Sequence, residues 1–119
     1  MRIAIFQVDA FTNELFKGNP AAVCPLDEWL TDGMLQNIAA ENNLPETAFF
    51  VKEKEGFHIR WFTPSTEVSL CGHATLAAAA VIFRKLGYKQ NQIKFNSRSG
   101  ELNVKRDMDS FVLDFPSDK

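Results

Sequence analysis

The chain has 119 residues, 45% of them hydrophobic, which is enough to bury the core of one domain. Its formal net charge of -2, with both signs mixed along the chain, argues against a nucleic-acid-binding protein, because such proteins carry a basic patch. Two cysteines and two histidines, without a Cys-x-x-Cys spacing, are too few for a disulfide framework and argue against a zinc site.

The N-terminal part of the chain predicts strands, a loop and one helix. The segment RIAIFQVDAF reaches a charge at Asp9 after an apolar run too short for a signal peptide or a membrane span, and it predicts a strand. The loop FTNELFKGNP follows, and AAVCPL predicts a short buried strand ended by Pro25. Apolar residues of LTDGMLQNIAAENN recur at helical spacing, with Thr31 or Asp32 as N-cap and Asn42–Asn43 as the stop.

The rest of the chain predicts a hairpin, a buried helix and three more strands. Ala48–Val51 and Phe57–Phe62 are β-rich runs on either side of the polar turn KEKEG. Ala74–Leu86 is apolar on nearly every side, which indicates a buried helix, and Gly87 is its stop. The segment QIKFNSRSGELNVKRDMDSFVLDFP predicts strands with turns at SRSG and RDMD. One buried helix among roughly seven strands implies an α+β fold with a sheet curved around the helix.

The first candidate site is the start of the buried helix, in the motif CGHAT. Backbone N–H groups in a first helical turn lack partners within the helix and lie at the positive end of its dipole. Such an end binds carboxylates; Gly72 would let a ligand approach the backbone, and His73 adds a donor or proton carrier. Considered alone, a tight strand-to-helix turn capped by His73 is the simpler interpretation.

Two further candidates lie in NNLPETAFF and FKGNPAAV. Glu46 stands at the edge of the apolar run Thr47–Val51, where desolvation would raise the carboxyl pKa toward the range that a general acid/base needs. Asn19, on a glycine-containing loop, could hydrogen-bond a ligand carboxylate or hydroxyl. Taken singly, a solvated strand-end glutamate and an ordinary turn asparagine are the simpler interpretations.

Four linked motifs together resemble the phenazine-biosynthesis PhzF-like family. They occur in the order and spacing of that family and span essentially the whole chain: VDAFTNELFKGNPAAV, NNLPETAFF, IRWFTPSTEVSLCGHATLAAAAVIF and LDFP. The match is to the N-terminal half of a family member, so we expect residues 1–119 to form a single domain without its second, homologous domain. A whole member resembles two domains of the diaminopimelate-epimerase fold. The implied fold agrees with the one expected from the residues: α+β, with a mixed, strongly curved sheet or barrel around a central buried helix.

The resemblance implies an isomerase site in the cleft between two such halves. The glutamate of the family's ETAF motif falls on Glu46, which would move a proton on a small cyclic carboxylate. In the phenazine enzyme, this reaction converts dihydro-hydroxyanthranilate to a ketone tautomer. The histidine of CGHAT falls on His73 and would assist. Gly72, His73 and Ala74 would hold the substrate carboxylate, and Asn19 would line the cleft.

Cys71 has two interpretations. In related epimerases and racemases, a cysteine before Gly-Asn or Gly-His at this helix start is a catalytic thiol, whose pKa the helix N-terminus would lower. We rank Glu46 ahead of Cys71 as the base, and a small buried residue packing the turn is the simpler role for Cys71. A cysteine-dependent epimerase or racemase and a non-catalytic carboxylate-binding or interaction domain stay as alternatives.

Two residues depart from the family pattern, and both departures are expected to change substrate preference. Pro45 stands where serine is common before the glutamate, and Ser69 stands where aspartate is expected. No metal or cofactor motif is evident, and proton transfer by side chains needs none.

The expected partners are a small carboxylate substrate and a second protein unit, with neither nucleic acid nor membrane. A lone half would expose an apolar cleft wall, which predicts a homodimer or pairing with a second-half domain. We expect a cytoplasmic protein with reduced Cys24 and Cys71, although a single bridge between them stays open.

Overall fold

A computed structural model describes residues 3–8, 20–107 and 110–114, which contain eight strands and two helices. The elements in chain order are β1 (Phe6–Val8), β2 (Ala21–Leu26), α1 (Asp32–Asn42), β3 (Glu46–Lys52), β4 (Phe57–Phe62), β5 (Glu67–Val68), α2 (Gly72–Lys85), β6 (Gln92–Ser97), β7 (Gly100–Asp107) and β8 (Ser110–Asp114).

All eight strands join one mixed sheet in the order β1-β2-β3-β4-β6-β7-β8, with β5 also paired to β4. The pairs β2–β3 and β4–β6 are parallel, and the other pairs are antiparallel. A parallel pair needs a crossover connection rather than a tight turn. The two helices lie in these crossovers, because α1 links β2 to β3 and α2 lies between β4 and β6 in the chain.

Helix α2 forms the centre of the core, and the sheet wraps around it. Every residue from Ala74 to Phe83 is buried. The run Ala77–Ala80 has small side chains, so strands can approach the helix backbone closely. The same core takes large side chains from many strands, among them Val23, Phe50, Ile59, Trp61, Phe95, Leu102 and Val104. The predicted α+β fold, with a strongly curved sheet around a buried helix, is confirmed.

Helix α1 covers part of the opposite face of the sheet. Its buried residues Leu35 and Ala39 pack with Cys24, Phe49 and Phe62 in a second, smaller cluster. Strands β2 and β3 are thus covered on both faces. This explains why they are apolar at nearly every position rather than alternating.

The helix ends match the expected signals closely. Thr31 is the N-cap of α1, because its Oγ1 accepts a 3.2 Å hydrogen bond from the Met34 amide. Asn43 ends the same helix in the left-handed region at φ 54°. Helix α2 begins at Gly72, in the motif CGHAT where its start was expected, and ends at Lys85 ahead of Gly87, whose φ is 71°.

The prediction that Pro25 ends β2 is wrong, because the strand continues to Leu26. Strand β1 pairs only with Ala21–Val23, so Pro25 lies where β2 has β3 as its single neighbour among the described residues. Proline is tolerated where one side of a strand is unpaired.

The two-residue strand β5 was not expected either, because two residues carry no readable periodicity. Within the described ranges, no helix is long and apolar enough to cross a membrane.

Candidate active site

Glu46 is the first residue of β3, at the end of the sheet where β2 also begins. It pairs in register with Ala21. The four residues that follow it, Thr47–Phe50, are all buried, so the strand fixes where the glutamate backbone lies. The carboxyl oxygen Oε1 of Glu46 is buried and has no hydrogen-bond donor among the described residues. This half-buried carboxyl group at the end of the sheet can therefore accept a hydrogen bond from a further donor.

The N-terminus of α2 supplies the second part of the site. Cys71 is the N-cap residue in extended conformation, with φ -146° and ψ 105°, and its side chain does not cap the helix. Thr75 Oγ1 donates a 2.7 Å hydrogen bond to the Cys71 carbonyl and accepts a 2.9 Å bond from Trp61 Nε1. This buried chain of hydrogen bonds fastens the first turn of α2 to β4.

The structure brings Glu46, Cys71 and His73 together. Cys71 Sγ lies 3.5 Å from His73 Nδ1, and the Glu46 carboxyl group is near enough to Cys71 for its charge to help raise the pKa of the thiol. Gly72 and Ala74 belong to the same first helical turn. Asn19, the remaining predicted site residue, lies outside the described residues.

Burial controls the protonation of all three titratable groups. Desolvation raises the pKa of Glu46, and the nearby Cys71 thiol partly opposes this rise. Desolvation also lowers the pKa of His73, which favours the neutral imidazole. Burial thus disfavours the charged form of each of these three side chains.

Cys71 does not have the lowered pKa expected of a thiol at a helix N-terminus. Burial raises its pKa to about 11; the amides of Ala74 and His73 oppose this, while the Glu46 charge adds to it. The effect of desolvation on the thiol pKa is therefore larger than the opposing effect of the amides at the helix N-terminus. Cys24 and Cys71 are both free thiols, so the bridge left open by the sequence does not form.

The arrangement can transfer protons and bind an anion. Burial moves the Glu46 pKa upward, in the direction that a general acid/base needs, and the amides of a helix N-terminus are suited to a carboxylate. Among residues 3–8, 20–107 and 110–114, no three His, Cys, Asp or Glu side chains are grouped to hold a metal ion.

A polar network that positions the segment before α2 escaped the sequence reasoning. Arg60 on β4 bonds both carboxylate oxygens of Glu67 at 2.8 and 2.9 Å and also contacts Asp32 at 3.0 Å. Arg98 reaches Glu67 at 3.2 Å, and Ser99 Oγ donates a 2.6 Å bond to the Ser69 carbonyl. The available signal was a charged residue inside the apolar run IRWF, which sequence alone could not match to a partner.

Comparisons with known proteins agree with this architecture. The family model of the phenazine biosynthesis-like protein, PhzC-PhzF, matches residues 8–114. An uncharacterized isomerase of Pseudomonas aeruginosa is 57% identical over 117 residues, which are 98% of this chain and 45% of that protein. The human phenazine biosynthesis-like domain-containing protein is 49% identical over 124 residues, covering 98% of this chain and 43% of that protein.

Solved structures show the same relationship. A PhzF family crystal structure from Enterococcus faecalis has a TM-score of 0.87 and 50% identity, covering 93% of this chain and 43% of that one. A predicted epimerase of Pseudomonas aeruginosa has a TM-score of 0.74 and 26% identity, and the match covers 93% of this chain and 41% of that one. The chain thus spans about half the length of the relatives it matches. On the family model and these identities, the chain belongs to the phenazine biosynthesis-like PhzC-PhzF family.

Proposed function

We propose that this chain supplies one wall of an isomerase site in which Glu46 is the general acid/base for proton transfer on a small cyclic carboxylate. The observation that carries the proposal is the half-buried Glu46 carboxyl group, whose pKa is raised by burial and whose Oε1 lacks a donor among the described residues. Family membership and relatives named as isomerases support the broad reaction class.

The substrate carboxylate binds at the first turn of α2. The amides of Gly72, His73 and Ala74 provide donors at the positive helix end, and Asn19 lines the same cleft. His73 acts as a neutral imidazole, because burial lowers its pKa. It assists Glu46 by accepting or donating a hydrogen bond at the reacting part of the substrate. Neither a metal nor an organic cofactor enters this mechanism.

The other wall of the cleft comes from a second unit. We infer that residues 1–119 form one N-terminal domain, and that a homologous second domain or a second copy of this chain completes the site in the cytoplasm. The support is the coverage of 45% and 43% of the relatives' lengths. Exposed apolar residues such as Ile5 and Val112, 50% and 46% accessible, are consistent with a surface that pairs.

The test uses a chimeric protein in which this chain replaces the matching residues of the Pseudomonas aeruginosa isomerase. The remaining half of that isomerase then supplies the second unit. Deuterium incorporation from D2O into dihydro-hydroxyanthranilate and other small cyclic carboxylates is followed by NMR. We expect exchange with the unmodified chain and with Glu41→Gln, an exposed glutamate on α1, and loss of about 100-fold or more with Glu46→Gln. Exchange that survives Glu46→Gln would remove Glu46 from its role.

The same experiment separates the two alternatives. A thiolate mechanism at Cys71 predicts that Cys71→Ser abolishes exchange, but a thiol with a pKa of about 11 is ionised to only about one part in 10,000 at pH 7. A non-catalytic carboxylate-binding domain predicts amide shifts near Gly72 and His73 on ligand addition, with no deuterium exchange in any variant.

A further inference from the structure

We propose that a pocket on the outer face of the sheet binds a small aromatic carboxylate, with Arg98 holding the carboxylate and Trp29 contacting the ring. The pocket has a volume of about 320 Å³ and is lined by Trp29, His58, Arg60, Glu67, Ser97 and Arg98. None of these residues belongs to the group proposed to bind or react with the substrate of the isomerase. The inference therefore adds a second binding site and does not depend on the proposed function.

The pocket lies on the face of the sheet that is turned away from α2. Ile59 and Trp61 pack in the core around α2, and side chains alternate between the two faces of a strand. His58 and Arg60 of β4 are therefore on the other face, where β5 and the turn between β6 and β7, which carries Arg98, complete the lining. Pockets for small ligands have volumes of about 300 to 1,000 Å³, so this one suits a single-ring molecule.

The two arginines of the pocket have different roles. Arg60 is fixed, because it bonds both Glu67 oxygens and also Asp32, which is 82% accessible and outside the lining. Arg98 makes a single contact among the described residues, a 3.2 Å bond to the Glu67 oxygen that Arg60 Nη2 also uses. A guanidinium group has five N–H donors, so Arg98 can still bind a carboxylate through two parallel hydrogen bonds. Of the described residues that line the pocket, Glu67 alone carries a carboxylate, which leaves one positive charge for a ligand.

Two aromatic side chains determine the shape of the ligand. The rings of Trp29 and His58 lie 5.2 Å apart between centroids at an angle of 76°, and the Arg60 guanidinium lies 5.4 Å from the Trp29 ring. Indole and imidazole faces pack well against another flat ring. One surplus positive charge suits a monoanion such as a carboxylate better than a phosphate group, which carries nearly two negative charges. The lining thus favours an aromatic carboxylate.

The experiment adds benzoate to the 15N-labelled chain and follows the two indole N–H signals by NMR, with Trp29→Phe to assign them. We expect the Trp29 signal to shift and saturate. Benzamide, which has no charge, should bind about tenfold more weakly, and cyclohexanecarboxylate, which has no aromatic ring, about threefold. Trp61 bonds Thr75 in the first turn of α2, so its signal reports carboxylate binding at the Glu46 site separately. A Trp29 signal that does not shift with benzoate, or shifts as strongly with either analogue, overturns the proposal.

Substitution of Arg98 tests the anion contact, and this side chain is 63% accessible, so its removal should leave the fold intact. We expect Arg98→Ala to raise the benzoate Kd measured at Trp29 by about tenfold or more. Arg98→Lys keeps the charge but loses the forked donors, so it should raise the Kd by less. Arg84→Ala is the matched control, because Arg84 is an exposed arginine 5.0 Å from the Phe111 ring and does not line this pocket. An unchanged Kd in Arg98→Ala, or an equal loss in Arg84→Ala, overturns the proposal.

Discussion

Trp61 Nε1 donates a 2.9 Å hydrogen bond to Thr75 Oγ1, and this contact joins the sheet to the first turn of the central helix. Thr75 also contacts Cys71, because its hydroxyl donates a 2.7 Å hydrogen bond to the Cys71 carbonyl. Both Trp61 and Thr75 are almost wholly inaccessible to solvent, at 1% and 0%. The position of Cys71, and with it the candidate site, therefore depends on a hydrogen-bond chain that lies in the core.

Thr75→Val should test this chain, because valine keeps the shape of threonine and removes the hydroxyl. The substitution leaves the buried Trp61 N–H without an acceptor, which costs about 1–3 kcal/mol of unfolding free energy. Thr75→Ser keeps the hydroxyl and loses one methyl group, so it should cost less. Urea unfolding monitored by tryptophan fluorescence measures both. If Thr75→Val were as stable as the unmodified chain, the hydrogen-bond chain would have no energetic role.

Arg60 should matter more to stability than Arg98, although both contact Glu67. The Arg60 and Glu67 side chains are only 19% and 18% accessible and form a two-pronged contact, whereas Arg98 is 63% accessible with a single 3.2 Å contact. Lysine cannot form the two-pronged contact. We expect Arg60→Lys to cost about 1–3 kcal/mol and Arg98→Lys about 0–1 kcal/mol in urea unfolding. Equal costs would contradict this.

Stability should also depend on pH in a way that identifies Glu46. Its pKa is raised in the folded chain, so between the unfolded value of 4.5 and the folded value the folded state binds more protons, and stability falls as pH rises. Above the folded pKa the full penalty remains. Glu46→Gln should therefore be more stable than the unmodified chain at pH 7, and this difference should vanish below about pH 4. The exposed Glu41→Gln should show no such trend in thermal melts between pH 4 and pH 8. A difference that grows toward acid pH would mean that the Glu46 pKa is lowered.

The sequence predicted most of the fold because its strongest signals are local and periodic. The apolar segment after His73 has no polar stripe, and a helix without one must be covered on all sides; the curved sheet follows from that single requirement. What the pattern could not show was the order of strands. The parallel pairing of β4 with β6 depends on contacts between distant residues such as Phe57 and Phe95.

The motifs predicted that the site residues lie near one another and that burial raises the pKa of Glu46, but they did not show the direction of the pKa shift at Cys71. Glu46, Cys71 and His73 were singled out from their motifs, and the structure places them together. The catalytic-thiol interpretation of Cys71 required a pKa lowered by the helix end, but burial raises it to about 11, which agrees with the simpler interpretation of a buried residue packing the turn. The apolar run after Glu46 indicated its desolvation, whereas the burial of Cys71 depends on what other parts of the chain place around it, which the motif does not show.

The β3–β4 hairpin depends on Gly56, and a matched glycine in α1 provides its control. Gly56 has φ +93°, and a Cβ added there would clash with the backbone oxygen of Lys94 on β6. Either the turn or the neighbouring strand would have to move, so Gly56→Ala should destabilise the chain by about 1–3 kcal/mol or more. Gly33, in the first turn of α1, has nothing within 4 Å of an added Cβ. Gly33→Ala should therefore stabilise the chain by about 0.4–1 kcal/mol through the lower entropy of the unfolded state. Thermal and urea unfolding of the two variants should move in opposite directions; a Gly56→Ala variant as stable as the unmodified chain would show that β6 does not pack against this turn.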